Sequence, residues 1–171
     1  CGLVGVVPPG TEVALDMERV ILPYVEFVRS ITVDGCIRRI EERVTVQGKD
    51  CWGSLDCSVF VAFDTLWVVD LKGGKGKCVD AAENPQLLTY AVGEAIRNEW
   101  AFDKVVLVIV QPRRTDGKPP VDTWETTAER LRKHHADIKK AIKRAKAIDA
   151  APVAGPWCGW CVAKALCPAQ R

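Results

Sequence analysis

Apolar and polar positions change their spacing along the chain in a way that separates helices from strands. Apolar side chains recur every three or four positions over residues 12–31, which predicts a helix. Pro23 lies inside that repeat and predicts a kink or a break. Residues 36–47 alternate apolar and charged side chains, as a strand with one exposed face does. Two apolar, β-branched runs at residues 55–63 and 66–71, joined by a short connection, predict a hairpin.

The second half of the chain predicts a helix, a strand and another helix. Asn84-Pro85 is a favourable helix start, and we expect this helix to extend to about Trp100. Residues 104–111 are continuously apolar, which is typical of a strand buried on both faces. Thr126-x-x-Glu129 predicts a capping box at the start of a long helix. The order α-β-β-β-α-β-α predicts an α/β fold with a mixed central sheet flanked by helices.

Length and composition favour one globular domain. The chain has 171 residues, of which 48% are hydrophobic and 27% charged, so we expect a single domain over 1–171. We place its core at 12–149 and a cysteine-rich tail at 150–171. No apolar run approaches the roughly 20 residues of a transmembrane helix, and no secretory signal pattern is visible, so we expect no membrane partner.

Charge is unevenly distributed although the net charge is only +2. Residues 130–146 carry eight Lys or Arg, spread around the predicted helix, against one acid, Asp137. Two interpretations stay open for this segment. It is either a solvated helix face or a surface that contacts phosphates along a DNA strand.

The strongest candidate chemistry lies in the predicted hairpin. Its second run ends with Asp70 and Lys72, which point to the same face because side chains alternate along a strand. Asp56 opens the first run and can meet them. Two carboxylates suit Mg²⁺ or Mn²⁺, with the backbone carbonyl of Leu71 as a further ligand. A neighbouring lysine suits phosphodiester hydrolysis, because it can orient the attacking water or stabilise charge on phosphorus. For an isolated Asp-x-Lys triplet, the alternative is a solvated strand end.

Further candidates surround this set. Gln86 and Tyr90 are four residues apart on the predicted helix, so they share one face and can reach a nucleic-acid phosphate or base. Lys75 and Lys77 lie in a glycine-rich loop that can extend the DNA contact. Glu41, on the first strand, is a candidate additional carboxylate at the metal, and an exposed charged strand face is its alternative interpretation.

Cysteines near the end of the chain form a tight run, Cys158-x₂-Cys161-x₅-Cys167. Three thiolates at this spacing can converge on a soft metal or an iron–sulfur cluster. Zinc, a disulfide and no metal at all are the alternatives. The cysteines at 36, 51, 57 and 78 lie in other segments and are expected to be small core residues.

The motifs together resemble a known superfamily. The strings Gly53-Ser54-Leu55-Asp56, Asp70-Leu71-Lys72 and Gln86-Leu87-Leu88-Thr89-Tyr90 resemble motifs II, III and Q-x-x-x-Y of the PD-(D/E)XK nucleases, in their RecB-type and phage exonuclease branch. The resemblance covers roughly residues 12–171. It implies a restriction-endonuclease-like αβββαβ core and a metal-dependent DNA exonuclease acting in phage or bacterial recombination, repair or replication. The implied catalytic residues are Asp56, Asp70, Lys72, Gln86 and Tyr90.

The same resemblance has implications for cofactors and partners. It implies a [4Fe–4S] cluster on Cys158, Cys161 and Cys167, with a fourth cysteine upstream of the nuclease core. Cys1 is the candidate for that ligand, and Zn²⁺ is the alternative metal. The implied partners are single- or double-stranded DNA ends, a phage strand-annealing protein and further copies of the chain. The implied location is the cytoplasm of a bacterial or phage-infected cell.

One motif of this branch has no convincing counterpart in the chain. Members carry a helix with His and Glu near the start, whereas the two histidines here, His134 and His135, lie far downstream. Because the chain begins with Cys1 rather than Met, we expect a fragment or trimmed chain. Either the motif lies in a missing upstream segment or this chain has lost it. The alternative to an enzyme is therefore a non-catalytic DNA-binding module that kept the nuclease fold.

Overall fold

The structure is a computed structural model that describes residues 15–170 of the chain. Its helices are α1 (Leu15–Ile31), α2 (Pro85–Arg97) and α3 (Ala128–Ala145). Its strands are β1 (Ile37–Gln47), β2 (Cys51–Phe60), β3 (Thr65–Leu71), β4 (Lys104–Val110) and β5 (Val121–Thr126). Three short 3₁₀ helices follow at Pro156–Trp160, Lys164–Leu166 and Pro168–Gln170.

The five strands form one mixed sheet in the order β1-β2-β3-β4-β5. β1, β2 and β3 are joined antiparallel, β3 and β4 pair parallel, and β4 and β5 pair antiparallel. The parallel pair needs a crossover connection, which α2 supplies. The predicted mixed α/β fold with helices flanking a central sheet is confirmed at this level.

The predicted hairpin is present as β2 and β3. Its ladder runs from Cys57 opposite Val69 to Phe60 opposite Leu66. The connection is longer than predicted, because Val61 N–H bonds to the carbonyl of Thr65 at 2.9 Å and the chain leaves β2 at Phe60. Because side chains alternate along each strand, Asp56 and Asp70 lie on the opposite face of this hairpin from Cys57, Val59 and Val69.

The hydrophobic core lies on both faces of the sheet. The side facing α1 is built from Val28 of the helix and alternate strand residues, namely Cys57, Val59, Val69, Val106, Val108 and Val110. Cys57 is fully buried, which confirms it as a core residue, and this burial raises its pKa to about 11. The opposite side is covered by the buried residues of α2, among them Leu87, Leu88, Ala91, Val92 and Ala95.

A buried carboxylate joins α2 to the sheet. Glu94 is fully buried, and its Oε2 accepts hydrogen bonds from Arg39 Nη1 of β1 and Ser58 Oγ of β2, both at 2.9 Å. Its Oε1 lies 3.1 Å from Nη1 of Arg97. The charge is therefore compensated by two guanidinium groups, as a buried charge must be.

Three predicted details of the elements are wrong. α1 continues through Pro23 as one helix, so the break, one of the two predicted outcomes there, is wrong. α2 ends at Arg97 instead of about Trp100. Thr126 belongs to β5, which the sequence did not predict, so the cap of α3 moves by one residue: Thr127 Oγ1 accepts the Arg130 N–H at 3.1 Å.

The chain divides into two compact units, one ending at His135 and one beginning at Ala136. The first holds the sheet, α1, α2 and the first turns of α3. The second holds the remainder of α3 and the three 3₁₀ helices. In the part of the chain that the structure describes, no helix has the length and apolar character needed to cross a membrane.

Candidate active site

The candidate site lies where β2 and β3 separate. The ladder between them ends at the pair Cys57–Val69, so Asp56 and Asp70 are the first residues beyond it. Beyond the ladder, a side chain of β2 instead of its backbone bonds β3: Asp56 Oδ2 accepts the backbone N–H of Leu71 at 2.7 Å. The end of the ladder therefore places both carboxylates together, as the sequence predicted. The group of Leu71 that contacts Asp56 is its backbone N–H, whereas the group predicted to bind the metal is its carbonyl.

Asp70 is the buried carboxylate of the pair. Its Oδ1 accepts a hydrogen bond from Gln86 Nε2 at 2.9 Å, and its Oδ2 lies 2.7 Å from Lys72 Nζ. Oδ2 is buried, and its partner at this short distance is the positively charged ammonium of Lys72. Burial raises the pKa of Asp70 above its usual value, Lys72 opposes that rise, and the nearby Asp56 carboxylate adds to it.

Gln86 connects the strand residues to α2. Its Oε1 accepts from Lys72 Nζ at 2.9 Å, while its Nε2 donates to Asp70 and also lies 3.1 Å from the hydroxyl of Tyr90. The start of the helix fixes this position, because Asn84 Oδ1 accepts the N–H of Gln86 as the N-cap. The five residues predicted from the motifs therefore meet in one place.

Gly53 makes room for Tyr90. A Cβ built on Gly53 would lie only 2.6 Å from Cε1 of the tyrosine ring, which no ordinary contact allows. The ring therefore packs directly on the backbone of β2, and a side chain at this position would displace it. This contact gives a physical reason for glycine at the first position of the Gly-x-x-Asp string, which the sequence alone did not provide.

The β3–α2 loop (residues 72–84) is held in place by the segment that follows β4. The buried side chain of Gln111 accepts the N–H of Val79 at 3.1 Å and donates to the carbonyl of Lys77 at 3.2 Å. Asp122 Oδ2 accepts the N–H of Ala81 at 2.8 Å. Because this loop joins Lys72 to Gln86, these bonds set the spacing of the candidate site.

Ion pairs reinforce the same loop. Asp80 accepts from Arg114 Nη2 at 3.0 Å and from Lys118 Nζ at 2.8 Å. The side chain of Arg114 is only 2% exposed and also bonds Asp116 at 2.7 Å. Cys78 Sγ accepts the backbone N–H of Thr115 at 3.3 Å, which lowers the pKa of this thiol. Sequence reasoning did not predict these contacts to the loop, because each joins residues more than 30 positions apart.

A Gln111→Met variant should loosen the loop at one identifiable bond. Methionine keeps the volume of the side chain but leaves the Val79 N–H without its acceptor, so we expect a loss of about 1–3 kcal/mol in stability. Hydrogen exchange resolved by residue should show faster exchange at Val79. The amide of Ala81, held by Asp122, is the internal control. Unchanged exchange at Val79 would mean that Gln111 does not hold the loop.

Other predicted site residues stand apart from this set. Lys75 and Lys77 are exposed in the β3–α2 loop. Glu41 is also exposed, has a positive φ of 52°, and falls between the paired positions of β1 and β2. Burial raises the pKa of Tyr24, and the nearby charges of Cys57, Asp56 and Glu41 raise it further. Over residues 15–170 the structure groups no three His, Cys, Asp or Glu side chains at metal-binding distance, so Glu41 is not gathered with the two aspartates.

The tail cysteines are free thiols. Cys158 lies in the first 3₁₀ helix, where its Sγ accepts the Gly155 N–H at 3.3 Å. Cys161 follows that helix, and Cys167 lies between the second and third. In the described part of the tail, these three thiols are not grouped as ligands of one metal. Cys1, the predicted fourth ligand, lies outside the described residues.

The fold and the site define a mixed α/β protein with a pair of carboxylates, a lysine and a glutamine at the end of a central hairpin. The sequence profile of DUF2800, described as a protein of unknown function, matches residues 9–171. The chain belongs to this family. No solved structure matches the chain.

Proposed function

We propose that this protein is a metal-dependent deoxyribonuclease that degrades DNA from its ends. The observation that supports the proposal best is the contact set at the end of the β2–β3 ladder, where Asp70 meets both Lys72 and Gln86 beside Asp56. A general structural role does not require a buried carboxylate, a lysine and an amide to converge at one opening of a sheet. Phosphodiester hydrolysis uses each of these groups.

The donor atoms present fit a hard divalent cation. Asp56 and Asp70 offer carboxylate oxygens, and the buried Oδ2 of Asp70 already lies 2.7 Å from one cation, the Lys72 ammonium. Mg²⁺ is commonly bound by one or two carboxylates together with waters and substrate phosphates, so two aspartates suffice. The carbonyl of Leu71 is the proposed third protein ligand. A bound Mg²⁺ or Mn²⁺ would polarise the phosphoryl oxygen and lower the pKa of a coordinated water.

The remaining residues of the set have separate tasks in this proposal. Lys72 orients the attacking water or stabilises the negative charge that develops at phosphorus. Gln86 holds the ammonium group of Lys72 in that position through its Oε1. Tyr90, with its hydroxyl next to the Gln86 amide, contacts the DNA strand at the rim. Lys75 and Lys77 are exposed and contact the phosphates that follow.

A cofactor in the tail is the second part of the proposal. Three thiols within ten residues of each other have the ligand chemistry of a [4Fe–4S] cluster, with Zn²⁺ as the alternative metal. Cys158, Cys161 and Cys167 would supply three ligands and Cys1 the fourth. Iron and acid-labile sulfide analysis of anaerobically purified protein separates the two metals. The cellular setting proposed is phage or bacterial DNA recombination, repair or replication in the cytoplasm, with a strand-annealing protein as partner and with a homo-oligomer as one option.

The experiment that tests this function uses two DNA substrates. Linear end-labelled DNA and a covalently closed circle are incubated with the protein in Mg²⁺, Mn²⁺ or EDTA. The proposal predicts stepwise shortening of the linear DNA with either metal, an intact circle, and no reaction in EDTA. Cleavage of the circle would indicate an endonuclease. Intact linear DNA with both metals would contradict the proposed activity.

A DNA-binding module that kept this fold is the second candidate function. It is favoured by one observation: within residues 15–170, neither a third carboxylate nor a histidine is grouped with Asp56 and Asp70. Such a module would bind the linear DNA of the same experiment without shortening it in any metal.

A further inference from the structure

The net charge of the chain conceals two oppositely charged parts. From Ala136 to the end there are seven Lys or Arg against two Asp, a net charge of +5. The residues up to His135 therefore carry −3, because the whole chain is +2. This division coincides with the boundary between the two compact units. The second unit is therefore strongly basic, and the candidate active site lies in the unit with an acidic balance.

The positive charge of the second unit is concentrated on the outer half of α3 (residues 136–146). Its cations are Lys139, Lys140, Lys143, Arg144 and Lys146. Successive residues are about 100° apart on a helix, so all five lie within an arc of about 160°. Lys146 belongs to this surface because its N–H still bonds the carbonyl of Ile142 at 3.1 Å. The eight cations of the wider segment do spread around the helix, but these five share one side.

These five side chains are exposed, and little acid accompanies them. Each of the five is open to solvent. One acid, Asp137, lies on this half of the helix, and its Oδ1 is 3.9 Å from Nζ of Lys140, with both groups open to solvent. An exposed pair at this distance is weak and screened by salt. The surface therefore presents a net positive field to solvent.

We propose that the outer half of α3 binds the phosphate backbone of DNA. Lys139, Lys143 and Lys146 form one stripe about 10 Å long, at a rise of 1.5 Å per residue. Each strand of duplex DNA places one phosphate about every 3.4 Å along the duplex axis, so a stripe laid along that axis spans about three phosphate steps of one strand. The choice of DNA as the polyanion rests on the proposed function. Base sequence would not be read by this surface, because phosphate contacts carry no sequence information.

The composition of this helix favours DNA over an anionic membrane. A helix that lies in a membrane interface inserts bulky apolar side chains such as Trp, Phe or Leu opposite its basic face. The side opposite the five cations holds Ile138, Ala141, Ile142 and Ala145. Two isoleucines and two alanines offer little surface for insertion. A lipid surface therefore becomes an outcome that the experiment has to exclude.

The test compares two triple variants, each of which removes three exposed positive charges. One carries Lys139→Gln, Lys143→Gln and Lys146→Gln. The control carries Arg19→Gln, Arg29→Gln and Lys49→Gln, at exposed positions of the first unit. Binding of a fluorescein-labelled 20-base-pair duplex is measured in EDTA over a range of salt concentrations, so no cleavage takes place. Relative to the wild type, we expect the α3 variant to make the negative slope of log K against log salt shallower by about 2 to 3. We also expect it to weaken binding at 0.1 M salt roughly 100-fold.

The outcomes separate this surface from the proposed function. Equal slopes for the two triple variants would contradict the proposal that the outer half of α3 binds DNA. Binding to phosphatidylserine vesicles that the α3 variant loses, with an unchanged DNA slope, would also overturn it in favour of a membrane. The binding assay does not depend on cleavage, so a protein that fails to cut DNA yet shows the slope change would contradict the nuclease and support the surface.

Discussion

Replacing Asp70 with asparagine is expected to reduce metal-dependent DNA cleavage by about 10³-fold or more. The substitution removes a carboxylate that would bind the cation directly, and metal ions contribute several kcal/mol of transition-state stabilisation. Asparagine keeps the size of the side chain and an oxygen that can accept from Gln86 Nε2, so the local packing is retained. The rate of shortening of end-labelled linear DNA in saturating Mn²⁺ is the measurement.

The stability of the same variant distinguishes a functional carboxylate from a structural one. Because burial raises the pKa of Asp70, its charge costs stability in the folded protein. We therefore expect Asp70→Asn to unfold at the same urea concentration as the wild type or at a higher one, a familiar feature of functional sites. Asp34→Asn, in an exposed turn, makes the same change in charge and should retain full cleavage. Wild-type cleavage by Asp70→Asn would exclude this site as the catalytic centre.

Replacing Glu94 with alanine is expected to cost about 3–5 kcal/mol in the free energy of unfolding. Its carboxylate compensates Arg39, whose side chain is 14% exposed, and it also accepts from the buried hydroxyl of Ser58. Removing it leaves the mostly buried guanidinium of Arg39 without its carboxylate partner and the hydroxyl of Ser58 without its acceptor. One of the polar contacts that join α2 to the β1–β2 pair is lost at the same time.

Urea denaturation with a matched surface variant measures this effect. Glu42 lies 2.9 Å from the Arg97 guanidinium, which also pairs with Glu94 at 3.1 Å, but the side chain of Glu42 is 48% exposed. Glu42→Ala should cost less than about 1 kcal/mol, because exposed ion pairs contribute little. A loss of under 1 kcal/mol for Glu94→Ala would show that the buried network is not needed to hold α2 on the sheet.

The part of the site that the sequence predicted is the part governed by local periodicity. Asp70 and Lys72 share a face because strand side chains alternate, and Gln86 and Tyr90 share a face because helical residues four apart do. The N-cap of α2 was equally local, since Asn84 and Pro85 are neighbours of the helix they start. Only the meeting of the two pairs required the fold, and the β2–β3 hairpin and the crossover helix α2 provided it.

The parts that the sequence did not predict depend on contacts between distant segments. Gln111 looks like the polar end of an apolar strand, and nothing near it in the sequence shows that it holds residues 77 and 79. In the sequence, the residues of β5 form a short polar segment with no strand pattern. They form a strand because the edge of β4 is available for antiparallel pairing. That pairing draws Thr126 into the sheet and leaves Thr127 to cap α3.

Binding of Mn²⁺, followed by electron paramagnetic resonance, tests the central claim most directly, because it requires no knowledge of the natural substrate. The wild-type protein is titrated with Mn²⁺ beside a variant carrying both Asp56→Asn and Asp70→Asn. Specific binding to the wild type that the double variant loses is the predicted result. Equal binding by both proteins, with both folded, would contradict a metal site at the end of the β2–β3 ladder.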